Sequence, residues 1–170
     1  MYVKRFKNKL ETKFSEWILQ SGVNVAITYT LKQGIPIGNG QFEHISDEEI
    51  VRTMWLLRDR TTKKILGTKK FKEGHRLPFV VFKEGDGRSI RHHVHIAATK
   101  PTDMSLDEYR LIHLNCCQNL KWIYQISRFE ETYDSQGWVK YCSSYDLSTY
   151  LPQSSEHHSF ITKKDSLLAL

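Results

Sequence analysis

Pro-Phe-Val-Val-Phe-Lys-Glu-Gly-Asp-Gly-Arg-Ser-Ile-Arg-His-His-Val-His-Ile-Ala-Ala, residues 78–98, is the stretch that decides the fold class of this 170-residue chain. Pro78 to Glu84 is rich in aromatic and β-branched residues, which suit a pleated strand. Gly85-Asp86-Gly87 supplies a turn and Ser89 to Ala98 a returning strand, so the spacing predicts a β-hairpin that Pro101 stops. Side chains alternate along a strand, so His93 and His95 share one face while His92 and Val94 take the other. Two imidazoles on one face of a rigid strand can chelate a divalent cation and leave the rest of its coordination sphere for substrate and water. Glu84, just across the turn, can add a carboxylate from the neighbouring strand. Without a cation, the same pair is simply two polar residues on an exposed sheet face.

Outward from the hairpin, helical and strand patterns interleave. Residues 4–20 carry Phe6, Leu10, Phe14, Trp17 and Ile18 at helical spacing, and Gly22 ends that helix. Val23 to Leu31 alternates strictly, with Val23, Val25, Ile27, Tyr29 and Leu31 on one face and Asn24, Ala26, Thr28 and Thr30 on the other, which predicts a half-buried strand. Gln33 to Gly40 reads as a loop. Ser46 and Glu49 form a capping box for a helix that buries Ile50, Met54 and Leu57 and runs to about Arg60. Thr61 to Lys72 reads as a hairpin containing a strand or as a flexible segment. Ser105 and Glu108 cap a long helix whose core face is Leu106, Tyr109, Ile112, Cys116, Leu120 and Ile123. Glu130, Glu131 and Asp134 fall in the connection to a last helix that starts near Gly137 and includes Trp138, Tyr141 and Tyr145. The pattern predicts an α+β fold around a central antiparallel sheet, one domain over 1–152, and a polar tail over 153–170.

Lys and Arg number 25 against 19 Asp and Glu, a formal charge of +6. The excess is concentrated between Arg52 and Arg76, a block suited to a polyanion, because each phosphate neutralised releases counterions. A merely solvated surface gives the same charge count. Arg58, Arg60, Lys63, Lys64, Lys69, Lys70, Arg88 and Arg91 are the expected phosphate contacts, and Trp55, Phe71 and Tyr29 are candidate stacking partners for bases. No run has the length of a membrane span, no apolar block follows the basic N-terminus, and the three cysteines make a poor disulfide framework, so the expected location is cytoplasmic. The chain has no Gly-x-x-x-x-Gly-Lys-Ser/Thr and hence no P-loop motor.

Tyr141 and Tyr145 stand four residues apart, one above the other if helical, and both can then face a single site. A tyrosine is a competent nucleophile toward a phosphate polarised by a metal. The order of a Thr-bearing strand (Ile27 to Gln33), a His-hydrophobe-His strand and a Tyr-x-x-x-Tyr helix resembles the HUH endonuclease superfamily of rolling-circle replication initiators. The resemblance covers about Val23 to Tyr150. It implies an antiparallel sheet of about five strands with the histidines on a central one. It also implies Mn²⁺ or Mg²⁺ at His93 and His95, with Glu84 as third ligand. Tyr141 is implied as the nucleophile and Tyr145 as a second tyrosine, and Lys32 and Gln33 are implied to lie near DNA. In the two-tyrosine branch a lysine immediately precedes the second tyrosine. Here position 144 is Ser, and Lys140 is the nearest candidate for that role.

The implied activity is nicking and rejoining of single-stranded or locally melted origin DNA through a 5′-phosphotyrosine, with strand unwinding left to a separate host or element helicase. A transposase or relaxase of the same superfamily, or a nucleic-acid-binding module without catalysis, fits the same residues. Two other classes fit less well. A histidine-triad hydrolase wants a third alternating histidine where this chain has Ala97, and the His-x-Asp/Glu pair usual in iron oxygenases is absent.

Overall fold

A computed structural model describes residues 12, 13, 16–18, 20–85, 87, 90–132, 137, 138, 150 and 151. Its elements are β1 (Val25–Leu31), β2 (Gly34–Gly38), β3 (Gln41–His44), α1 (Asp47–Lys72), β4 (Phe79–Glu84), β5 (His93–Ala98), α2 (Leu106–Cys117) and β6 (Ile123–Glu131). The fold is α+β, with an antiparallel four-stranded sheet in the order β6-β1-β5-β4. Tyr150–Leu151 adds a two-residue pairing to the outer edge of β4, opposite Phe82 and Val81. Among the described residues no helix is long and apolar enough to cross a membrane.

The strict alternation of β1 divides the core in two. Val25, Ile27, Tyr29 and Leu31 join Phe79, Val81, Val94, Ile96 and Ala98 on one sheet face, under Ile50, Met54 and Leu57 of α1 and Tyr109 and Cys116 of α2. The other face carries a smaller cluster, in which Val80, Phe82 and Ala97 meet Ile18 and Val23, with Trp17 and Trp138 packed against them. Each buried aliphatic or aromatic side chain contributes roughly 1.5–3 kcal/mol, so the helical face supplies most of the driving force.

At the centre of that face sits a polar residue. His113 is fully buried, its Nδ1 is 2.8 Å from the Tyr29 hydroxyl, and its ring packs against those of Phe79, Tyr109 and Phe129. Burial pushes its pKa down to about 3, so the ring is neutral at physiological pH. Its Nε2 has no partner among the described residues.

Several elements differ from the sequence reading. The expected loop after Gln33 is a two-stranded ribbon of β2 and β3, turned by Asn39 and Gly40 with φ of 51° and 71°. Two successive residues at positive φ make the turn that matches strand twist, and Asn-Gly supplies it. The helix expected to stop at Arg60 runs on to Lys72, because Thr61 and Thr62 are buried beside the core and Ile65 packs on it. It breaks at Gly67, whose φ of 82° and ψ of 163° are open essentially to glycine alone. At the next helix Ser105 and Glu108 form a full capping box, as expected. Ser46 caps α1, but the Glu49 carboxylate accepts from Trp122 Nε1 at 2.9 Å, so that box is only half made. The long helix over 105–123 ends at Cys117, and Asn119, at φ 65°, turns the chain into a nine-residue strand. That strand takes in Glu130 and Glu131, which the sequence reading placed in a connection.

Candidate metal and nucleic-acid site

The register across three strands assembles the site row by row. Ala26, Ala97 and Val80 stand opposite one another, then Thr28, His95 and Phe82, then Thr30, His93 and Glu84. All nine share a face, because each row lies two residues along every strand from the last. The first row is apolar and covered by Ile18. The others place Thr28, Thr30, His93, His95 and Glu84 together in a half-open polar patch on two central strands and their neighbour. His93 and His95 thus share a face with Glu84 as the sequence predicted. The second strand begins at His93, however, not at Ser89.

Within the patch, His95 is clamped at both nitrogens. Thr28 Oγ1 lies 3.0 Å from Nδ1 and Glu84 Oε2 lies 2.6 Å from Nε2. The His95 and Glu84 side chains keep 15% and 29% of their surface exposed, which leaves the pair within reach of a ligand. His93 faces the same way, opposite Glu84, with no hydrogen bond to its ring among the described residues. Thr30 Oγ1 is 2.5 Å from Ser127 Oγ, which extends the polar surface onto β6. Among the described residues no three His, Cys, Asp or Glu side chains are gathered closely enough to hold a metal ion. His95 and Glu84 are in direct contact, and His93 faces the same side opposite Glu84.

His92 takes a structural role at the hairpin tip. Its Nδ1 is 3.1 Å from the Gly85 carbonyl, and its backbone N–H donates to Gln33 Oε1 at 3.2 Å. Gln33, expected near DNA, thus ties the ribbon end of β1 to the loop before β5. The tip is close-packed: a Cβ on Gly85, at φ 93°, meets the Arg91 carbonyl oxygen at 2.5 Å.

The chain approaches this same face again at Gly137 and Trp138, which are helical, with Trp138 packed against the Ile18, Val80, Phe82 and Ala97 cluster. Lys140, Tyr141 and Tyr145 follow in sequence and lie outside the described residues, as does Arg88.

Among the described residues, most of the basic side chains do not gather at the histidines. Arg58 gives Nε and Nη2 to Asp59 Oδ1 at 3.0 and 2.8 Å, and its side chain is 11% exposed, so it offers little to a phosphate. Arg60, Lys63, Lys64, Lys69 and Lys70 belong to the later part of α1, the helix that covers the opposite face of the sheet. Arg91 is the exception. It is exposed, two residues from His93, and its guanidinium lies 5.8 Å from the ring centroid of Tyr124.

The candidate stacking residues also sort differently. Tyr29 is fully buried and bound to His113, and Phe71 has the Arg76 guanidinium 3.8 Å from its ring centre. Trp55 is half-exposed on α1. Tyr124, which the sequence reading passed over, is 57% exposed beside Arg91 on the strand next to β1. Simple alternation does not find it, since Tyr124 falls at the register irregularity of β6 between Ile123 and Gln125. Neither protein-family models, nor curated protein sequences, nor solved structures match this chain.

Proposed function

We propose that the chain nicks and rejoins single-stranded DNA at a replication origin, using His93, His95 and Glu84 to hold Mn²⁺ or Mg²⁺. The single observation that carries this reading is the shared face of His93, His95 and Glu84, with Thr28 fixing the His95 ring. The donor chemistry fits: the 2.6 Å contact with the Glu84 carboxylate needs a proton on Nε2, which a cation would replace, leaving Nδ1–H to donate to Thr28, and such outer partners set ligand orientation in metal sites. The His95–Glu84 hydrogen bond has to open to admit a cation. When bound there, such a cation would supply polarisation of a phosphate and neutralisation of its charge.

The remaining steps belong to the chain. Arg91 and Tyr124 hold the strand beside the patch, by charge and by stacking on an unpaired base. Tyr141 attacks the scissile phosphorus through its phenolic oxygen. The bond to the 3′-oxygen breaks, and that oxygen takes up the proton Tyr141 gives to solvent. The products are a 5′-phosphotyrosine and a free 3′-hydroxyl, and Tyr145 or a returning 3′-hydroxyl reverses the transfer. A five-stranded sheet, with Tyr150–Leu151 as its outermost strand, suits the same reading. The chain is expected to work in the cytoplasm with a separate helicase.

The test is a denaturing gel of the protein incubated with single-stranded origin oligonucleotides and Mn²⁺. A covalent adduct is expected in the wild type, lost in Tyr141→Phe and reduced at least about 100-fold in His93→Ala/His95→Ala. An adduct that survives the double histidine substitution overturns the metal assignment. The sparse grouping of metal donors favours one second reading, a binding module without chemistry. Oligonucleotide binding that is indifferent to Mn²⁺, without any adduct, selects it.

A further inference from the structure

Across the sheet from the histidines, the later part of α1 and the end of α2 border a shallow cavity, broadly open to solvent, of about 620 Å³. Arg60, Lys63, Lys64, Thr68 and Asn115 line it around the break at Gly67. Among the described residues no carboxylate contributes to the wall. Three lysines elsewhere pair with carboxylates, Lys83 with Asp47, Lys100 with Glu131 and Lys121 with Glu43. Lys63 and Lys64 have no such partner among the described residues.

Arg60 is already oriented. Its Nη1 donates to the carbonyl oxygens of Cys116 and Gln118 at 3.2 and 3.0 Å, which caps the C-terminal end of α2 and holds the guanidinium at the cavity edge. Nε and Nη2 carry three further N–H donors in the planar fork that suits phosphate oxygens. A side chain fixed before binding loses less freedom when a ligand arrives, so the cavity is partly preorganised. Thr68 and Asn115 add neutral donors. The volume far exceeds one phosphate.

We propose that this cavity is a second anion site, taking a phosphate ester of nucleotide size on the side of the sheet away from the histidines. Its existence rests on the cavity alone, and only the choice of phosphate source leans on the nicking activity. A passing nucleic-acid strand and a free nucleotide present the same chemistry here.

Two charge-reversal pairs on the full chain test it, Lys63→Glu/Lys64→Glu inside the cavity and Lys13→Glu/Lys72→Glu outside it. All four lysines are exposed, so both variants keep the fold. Binding of a labelled 20-residue oligothymidylate, read by fluorescence anisotropy, is expected to weaken at least about 10-fold in the first pair. The slope of log affinity against log salt is expected to drop by roughly 1.4, the share of two phosphates on a single strand. The second pair should stay within about threefold. Equal losses in the two pairs, or no loss in the first, overturn the proposal.

Titration with ADP in place of the oligonucleotide assigns the source. A Kd below about 1 mM that vanishes in Lys63→Glu/Lys64→Glu marks a free nucleotide, and its absence beside an intact oligonucleotide effect marks a strand. His93→Ala/His95→Ala should leave the effect of the cavity pair unchanged. Loss of nicking therefore does not touch this proposal, nor does loss of cavity binding touch the nicking reading.

Discussion

Thr28 and Tyr29 are neighbours on β1, and each holds the Nδ1 of a histidine, on opposite faces of one sheet. Tyr29 binds His113 within an aromatic cage, where burial removes the ring from proton exchange near neutral pH. Thr28 binds His95 on the open face, where the other nitrogen meets a carboxylate and stays within reach of solvent. The same local device, a hydroxyl on β1 orienting an imidazole, thus gives a structural residue on one face and a candidate ligand on the other. The surroundings decide which. Aromatic rings leave His113 no room for a ligand, whereas the Glu84 carboxylate and His93 give His95 companions for one.

The largest expected effect is on the buried side. His113→Ala should destabilise the fold by about 3–4 kcal/mol, combining a cavity among the rings with an orphaned Tyr29 hydroxyl, measured by urea unfolding. A change within the ~0.5 kcal/mol ordinary for surface positions would dissolve the contrast between the two faces. His95→Ala, at the half-open position, should cost much less stability.

Acid comes next in size. The His113 pKa falls from 6.5 in the unfolded chain to about 3 in the folded one, so between those values the unfolded state binds the extra proton. Stability from this group is complete above pH 6.5 and declines as pH falls toward 3, by at most about 1.4 kcal/mol per unit. Urea midpoints from pH 7 to 4.5 should therefore drop in the wild type. They should flatten in a His113→Phe variant that still folds, and identical slopes would remove the buried histidine from the acid response.

The smallest effect sharpens the open side. Thr28→Val removes the hydroxyl that orients His95, so Mn²⁺ affinity should fall about 10-fold while stability falls by only about 0.5–1.5 kcal/mol, the ordinary net worth of one hydrogen bond. Titration of Mn²⁺ by calorimetry reads it directly. Unchanged affinity would make the Thr28 contact incidental to the site.

The faces also differ in how far they could be read from residues alone. His93, His95 and Glu84 were legible because alternation and a glycine turn place them without knowledge of any other strand. The clamp of Thr28 on His95 was not, since it depends on how β1 registers against β5, with the partners 67 positions apart. His113 was hidden for the same reason, being a polar residue on a core face whose partner Tyr29 is 84 positions away. Polar atoms also masked elements: buried Thr61 and Thr62 interrupt the apolar stripe of α1, and Gly34 and Pro36 disguise a strand. At β6 the error ran the other way. Leu120 and Ile123 continue the helical spacing of α2 past Asn119, although the chain has already turned there.

The place of β1 in the sheet bears on how the chain acquires its shape. It is an early strand, yet its neighbours are β5 and β6, so Val25 waits for Ala98 on one side and Glu131 on the other. A nascent chain leaving the ribosome therefore exposes Val25, Ile27, Tyr29 and Leu31 until nearly all of the described residues have been made. Such long-range pairing raises contact order and slows folding relative to a helical protein of equal size. The polar residues Thr28 and Thr30, which serve the open face in the finished molecule, also interrupt that apolar run while it is unpaired, which lowers its tendency to associate with other chains.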